Sequence, residues 1–448
     1  MTMTRKTTNK YTPYVLSSID DIQQLGKLPE SRRVAMRAVA NVLPFRTNSY
    51  VTDELIDWDD IPGDPMFQLT FPQPGMLEQA DLGRMVSLVR GGATSTRIKA
   101  AANEIRLKLN PHPAGQLQHN VPRLDGEPLP GMQHKYRDTV LFFPSRGQTC
   151  HAYCTYCFRW AQFVGMEGLK FAQRETETFH EYLKRHTEVS DVLFTGGDPM
   201  VMRGWHLRAY IEPLLKPAYE HLRHIRIGTK SLAFWPYKYV SDPDADTVLR
   251  LFEQVVKSGR HLALMAHFSH PRELDTPVVR EAIRRIRDTG AVIRSQAPLI
   301  RHVNDSARAW ADMWREQVKL GIVPYYMFVE RDTGPKGYFE VPLAEAHDIF
   351  RRAFRQVSGL CRTVRGPSMS AMPGKVVVLG TQQVGREKVF VLSLLRGRKQ
   401  EWVGKPFFAK FDAKASWLDE LEPAFGEERF FFEEPAGPAP TARVVAWE

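Results

Sequence analysis

Three of the four cysteines in this 448-residue chain fall inside one short stretch, Thr149-Cys150-His151-Ala152-Tyr153-Cys154-Thr155-Tyr156-Cys157, spaced C-x3-C-x2-C. Thiolates grouped this tightly are metal ligands. A zinc site would want a fourth donor at fixed geometry, and His151 sits between the first two cysteines, where it does not turn easily onto the same ion. An iron–sulfur cluster held by three thiolates instead leaves one iron open to a small molecule. The plain alternative, three buried cysteines acting as small hydrophobes, gives no reason for the clustering.

The elements around this stretch can be read in outline. An apolar run at 139–144 reads as a buried strand that delivers the cysteine loop at its C-terminal end. Further runs at 191–195, 224–228, 261–267, 291–297 and 324–329 are separated by helical patterns such as 244–257 and 277–289. Strand, helix, strand repeated in this way predicts an α/β fold with a partial, open parallel β/α barrel, whose site forms from loops at the C-terminal strand ends. Those ends carry Cys150, Gly196-Gly197-Asp198-Pro199, Thr229-Lys230, His267, Gln296 and Arg331. Two adjacent glycines after a strand let the backbone approach a ligand closely and offer it peptide groups. Residues 1–135 read as an N-terminal helical and loop extension, 136–340 as the barrel, and 341–448 as a C-terminal segment. Within the extension, residues 1–20 read as disordered, 18–42 as a helical pattern with Ser31 as N-cap, 43–75 as a wrapping loop, and 76–89 and 100–109 as helices. A helix is expected at 343–356, then a loop carrying Lys375, and a packing tail from 401.

Bulk properties narrow the classes. No apolar run approaches the ~18 residues of a membrane span, and no signal-like segment opens the chain. With three cysteines in one motif there is no pair for a disulfide framework, which favours a reducing cytoplasm. The net charge of +10 is spread over helical faces such as 280–287, mixed with Glu281 and Asp288, so a nucleic-acid partner is not expected.

The cysteine spacing, with Tyr156 before the last thiol, resembles the signature of the radical S-adenosylmethionine (SAM) superfamily, and Gly196-Gly197-Asp198-Pro199 resembles its segment for the SAM amino group. Leu43-Pro44-Phe45-Arg46, Pro130-Gly131 with His134 and Tyr136, His267-Phe268-Ser269-His270-Pro271, Val303-Asn304-Asp305 and Pro324-Tyr325-Tyr326 occur in the order and spacing of the lysine 2,3-aminomutase family. The resemblance runs from about residue 40 to 380. It implies an isomerase that exchanges an α-amino group with a β-hydrogen, using a [4Fe–4S] cluster, SAM and pyridoxal 5′-phosphate (PLP), an amino-acid substrate and a flavodoxin- or ferredoxin-type electron donor.

The resemblance also assigns roles. Cys150, Cys154 and Cys157 would hold the cluster; Gly196, Gly197, Asp198, Thr229, His267 and Gln296 would lie near SAM. Arg159 matches the arginine that pairs with the substrate α-carboxylate, a group its fork suits. Lys375 corresponds to the lysine that carries PLP, and Lys135 and Tyr136 to positions near its phosphate. The chain departs from the family in three places. Ser368-Met369-Ser370-Ala371-Met372-Pro373-Gly374 replaces a longer glycine run, which keeps open a radical SAM reaction without PLP, either hydrogen abstraction or epimerisation. Arg331 and Ser368 stand where lysine-acting members have two aspartates; an ammonium facing Arg331 would be repelled, which favours glutamate or aspartate, while Asp332 keeps a cationic substrate alive if the loop slips by one. No cysteine follows Cys361, so a homodimer is expected rather than a zinc-stitched tetramer. A non-enzymatic iron–sulfur or nucleic-acid-binding protein is the reading outside enzymology.

Overall fold

Alternating apolar and polar residues on short strands, each followed by an amphipathic helix, require a sheet with one face packed on helices and the other turned to a polar space. The computed structural model describes residues 10–111, 113, 120–166, 171–172 and 176–433; the expectations for the first nine residues and the last fifteen lie outside these. The strands are β1 (Pro13–Val15), β2 (Arg46–Asn48), β3 (Arg123–Leu124), β4 (Glu127–Pro128), β5 (Met132–Tyr136), β6 (Thr139–Phe142), β7 (Asp191–Phe194), β8 (His224–Thr229), β9 (His261–His267), β10 (Val292–Leu299), β11 (Val323–Val329), β12 (Arg365–Ser370), β13 (Gly374–Val384), β14 (Glu387–Gly397) and β15 (Pro406–Lys410). Strands β6 to β12 run parallel in sequence order, each joined to the next through helices such as Ala245–Lys257, Pro277–Asp288, Ala307–Lys319 and Leu343–Arg355. This is the open β/α barrel.

Its packing follows from the sequence pattern. Val192, Phe194, Ile225, Ile227, Leu264 and Ile293 are fully buried against the helices. The intervening Asp191, Leu193, Arg226, Arg294 and Gln296 are half-buried and line the lumen. The helix Pro277–Asp288 buries Val279, Ala282, Ile283 and Ile286, the i, i+3, i+4, i+7 stripe of a surface helix, and Thr276 caps it by accepting from the Val279 amide.

Several local expectations need correction. Residues 10–20 are ordered: β1 pairs antiparallel with β2. The 18–42 pattern is two short 3-10 turns followed by a helix, Glu30–Val42, whose N-cap position is Pro29. Ser31 lies inside its first turn, because the preceding proline sets the extended entry. The loop at 43–75 contains β2 and the helix Pro65–Thr70. The two expected helices are Gln79–Arg90 and Ser95–Lys108, the second capped by Thr94. Lys375 lies on a strand, β13, and not in a loop. Strands β13 to β15 add antiparallel to β12, so the C-terminal part continues the barrel sheet and forms a second core with Val376, Leu392, Phe407, Trp417 and Phe430. Among the described residues no helix is long and apolar enough to cross a membrane.

One buried residue links the N-terminal extension to the barrel. Asp64 caps the helix Pro65–Thr70, accepting from the Met66 and Phe67 amides at 2.9 and 2.8 Å, and its other oxygen pairs with Arg272. Asp64→Ala removes the cap and leaves Arg272 without its partner, so we expect a loss of about 3 kcal/mol in denaturant unfolding, with Asp64→Asn losing less. Equal losses for the two variants would show that the cap contributes nothing beyond the ion pair.

Candidate active site

The cysteine loop leaves the end of β6 through the turn Ser145–Gly147 and is held from two sides. From the barrel side, a Cβ on Gly197 would stand 2.5 Å from the Thr149 carbonyl oxygen, and one on Gly196 2.6 Å from the Gln148 side chain. The glycine pair is therefore spent on close approach to the cysteine loop itself. The Asp198 amide then donates to the carbonyls of Gly147 and Thr149 at 3.0 and 2.8 Å. From the other side the N-terminal extension braces the loop. The Tyr11 hydroxyl and the Asn48 amide donate to the His151 carbonyl at 2.8 and 3.0 Å, the Tyr153 amide donates to the Arg46 carbonyl at 2.8 Å, and Thr155 Oγ1 donates to the Gln68 carbonyl at 2.8 Å. This gives Leu43-Pro44-Phe45-Arg46 a structural purpose that its sequence did not reveal.

The three thiols are free and half-buried. Burial raises each of them, Cys154 to about 12, and the charges of the three act on one another. Arg159 opposes the rise at Cys150 and Cys157, and Lys230 at Cys154. Thiols in this setting lose their protons when a metal takes them. Among the described residues no group of three or more His, Cys, Asp or Glu side chains is arranged around a single ion. A cubane carries its irons at separate corners, so three thiolates that hold one stand apart around it, which three soft donors on one loop allow. The His151 ring is buried and its pKa falls to about 3, chiefly through burial; it stays neutral, packed edge-on to Tyr11.

Asp198 and Thr229 are brought together and largely satisfy each other. The Asp198 carboxylate accepts from Thr229 Oγ1 at 2.7 Å, the Met200 amide at 2.8 Å and the Lys230 amide at 2.9 Å; burial raises its pKa to about 6 against these bonds. His267 is neutral, its pKa pushed well down by burial, and its Nε2 lies 3.0 Å from the hydroxyl of Tyr156 in the cysteine loop. Gln296 is half-buried beside it, in register with His267 and Tyr326 on the neighbouring strands.

The remaining predicted residues are mostly basic and lie close enough for their charges to act on one another. Arg159 lies 5.0 Å from the Phe158 ring and 4.3 Å from the Phe143 ring, and burial lowers its pKa to about 10. Arg331 lies 5.6 Å from the centre of the same Phe158 ring and 5.8 Å from that of Trp417. Its Nε is buried without a hydrogen-bond partner among the described residues, and the Asp332 carboxylate stands 3.8 Å away. Burial lowers both Lys135 and Lys375 to about 7, reinforced by the surrounding cations. Lys375 Nζ sits 3.9 Å from the Tyr326 ring centre. Lys135 donates to the Ala371 carbonyl at 2.7 Å, and burial raises neighbouring Tyr136 to about 12. Ser368 is fully buried, with its hydroxyl turned to the Met327 carbonyl at 3.4 Å. Sequence reasoning missed Arg365, Arg396, Trp417 and Asp419. Arg396 lies on β14 and Arg398 just past its end, and only strand register places Arg396 opposite Lys375.

No protein-family model matches the chain. A protein of Aquifex aeolicus (strain VF5), provisionally named L-lysine 2,3-aminomutase, is 30% identical over 406 residues, 90% of this chain and 95% of that protein. The L-lysine 2,3-aminomutase of Escherichia coli (strain K12) is 29% identical over 243 residues, 54% of this chain and 64% of its own length. That of Acetoanaerobium sticklandii is 28% identical over 259 residues, 57% of this chain and 59% of its own. Among solved structures, a radical SAM methyltransferase from Sphaerobacter thermophilus superposes on 52% of this chain and 68% of its own, at a TM-score of 0.36 and 16% identity.

Because Gly197 touches backbone, Gly197→Ala must displace the cysteine loop. We expect iron bound after anaerobic reconstitution to fall to less than half, with an unchanged far-ultraviolet circular dichroism spectrum. Full iron in that variant would show the contact to be dispensable.

Proposed function

We propose a substrate class and a division of labour for this chain, which belongs to the lysine 2,3-aminomutase family of radical SAM isomerases. Members of the family work with a [4Fe–4S] cluster, SAM and PLP. When bound, the cluster and SAM supply radical chemistry and PLP carries the migrating nitrogen. The proposed substrate is an acidic α-amino acid, glutamate or aspartate, whose amino group moves from C2 to C3. The observation that carries this is the pairing of Arg159 and Arg331 about one aromatic ring, with the Arg331 Nε buried and unsatisfied. A molecule with a carboxylate at each end would meet a guanidinium at each end, and a buried guanidinium gains most from a charged acceptor.

On this reading Cys150, Cys154 and Cys157 hold the cluster. Arg159 takes the α-carboxylate and Arg331 the side-chain carboxylate, with the Phe158 ring close to both. Radical abstraction takes the nearest C–H, so fixing the substrate at both ends decides which carbon reacts. Lys375 offers a neutral amine, the form that attacks an aldehyde, because burial removes its proton near neutral pH. Asp332 is the residue for a second reading: its Oδ1 is buried and unbonded among the described residues, so a cationic side chain would find a partner there.

Two measurements test the proposal. Reconstituted protein with SAM, PLP and reductant should convert glutamate to 3-aminoglutarate, or move the amino group of carbon-labelled aspartate between its two central carbons, an exchange seen only through the label, and leave lysine unchanged; Arg331→Ala should raise KM for the acid by on the order of 100-fold, with kcat changing far less. Turnover of lysine or arginine in place of the acids would move the role to Asp332. The rate of PLP capture, followed by absorbance, should rise about tenfold between pH 6 and pH 8 and then level off, because the amine loses its proton as pH climbs through about 7. A midpoint near that of a solvated lysine would remove Lys375 from this role.

A further inference from the structure

Lys375 on β13 and Arg396 on β14 are direct cross-strand partners. Like charges opposite each other on a sheet destabilise the pairing, yet here the strands come unusually close, since a Cβ on Gly374 would stand 2.0 Å from the Arg396 carbonyl oxygen. Arg396 lies 4.5 Å from the Tyr136 ring centre and pairs with Asp138. Just past the strand, Arg398 donates to the Met372 carbonyl at 2.9 Å and to the Asn120 side chain at 3.0 Å. Lys135 reaches the same turn through its 2.7 Å bond to the Ala371 carbonyl. Among the described residues, Asp138 is the one carboxylate ion-paired with these four cations. Backbone carbonyls and a ring hold the rest in place, so one carboxylate offsets the group only in part.

We propose that Arg396 and Arg398, together with Lys135, bind the phosphate of PLP, so that β14 supplies an anion site facing the lysine that β13 supplies. The inference rests on the reading that Lys375 takes PLP. A phosphate monoester carries close to two negative charges and several acceptor oxygens, which suits two guanidinium forks and an ammonium, whereas one substrate carboxylate would leave most of that charge unmatched. The register sets the reach: the aldehyde meets Lys375 while the phosphate lies across the strand pair.

The test compares PLP with pyridoxal, which has the aldehyde and lacks the phosphate, on full-length protein after cluster reconstitution. Binding is titrated by absorbance for wild type, Arg396→Ala, Arg398→Ala and Arg396→Lys, with iron content and melting temperature checked in each. We expect each alanine variant to weaken PLP by about tenfold or more, to leave pyridoxal within about twofold, and Arg396→Lys to recover part of the loss. Inorganic phosphate should raise the melting temperature of PLP-free wild type but not of Arg396→Ala, while glutarate, a diacid without phosphate, should act alike on both. Equal weakening of PLP and pyridoxal would make Arg396 a support for the strand pair and overturn the assignment alone. Wild type that captures neither aldehyde would overturn the PLP reading and this assignment with it.

Discussion

The backbone amide of Asp198 donates to two carbonyls of the cysteine loop, at 3.0 and 2.8 Å, while its carboxylate gathers Thr229 and the Lys230 amide. One residue thus joins the ends of β6, β7 and β8. The contact forms only because Gly196 and Gly197 carry no side chain where the two loops meet. Three thiols on an irregular loop are useful to a cluster only if the loop keeps one shape without it, and this tether, with the brace from Tyr11, Asn48 and Thr155, provides that shape. The N-terminal extension is therefore part of the site although none of its residues need touch a substrate.

The second constraint is electrostatic. Placing Arg159, Arg331, Lys135, Lys375 and Arg396 around one lumen costs solvation that the protein's own acids offset incompletely. Burial drives the two lysines to about 7, which lets them shed charge; the arginines keep theirs. A lumen built in this way favours anions, and on the proposed reading ligands that carry phosphate and carboxylate groups would meet its need for neutralisation. The same field makes a cationic substrate harder to place unless it meets Asp332 and Asp419 directly.

Much of this site could be read before any fold was known, and the parts that could not share a cause. The cysteine spacing, the alternation of strands with amphipathic helices, and the location of the polar groups at strand ends depend on neighbours in sequence, where periodicity and covalent spacing act. Strands β6 to β11 fall within a few residues of their predicted limits, and β9 coincides with its own, whereas the seventh parallel strand, β12, lies where a loop was expected. The misread parts depend on distant partners. Residues 10–20 look featureless because β1 is ordered only by pairing with β2. The segment bearing Lys375 looks like a loop because its strand character comes from pairing with β14, whose register no local pattern announces.

By itself, then, the sequence determined the chemistry: three thiols on one loop, a lysine, an arginine two residues past the last thiol, and a barrel to hold them, because residue type and short-range spacing suffice to specify donors and strands. Tertiary structure alone decided who stands opposite whom. It turned the glycine pair onto the cysteine loop, set Arg331 beside Trp417 across more than eighty residues of chain, and put Arg396 against Lys375. Each of those contacts is a through-space meeting fixed by packing and strand register.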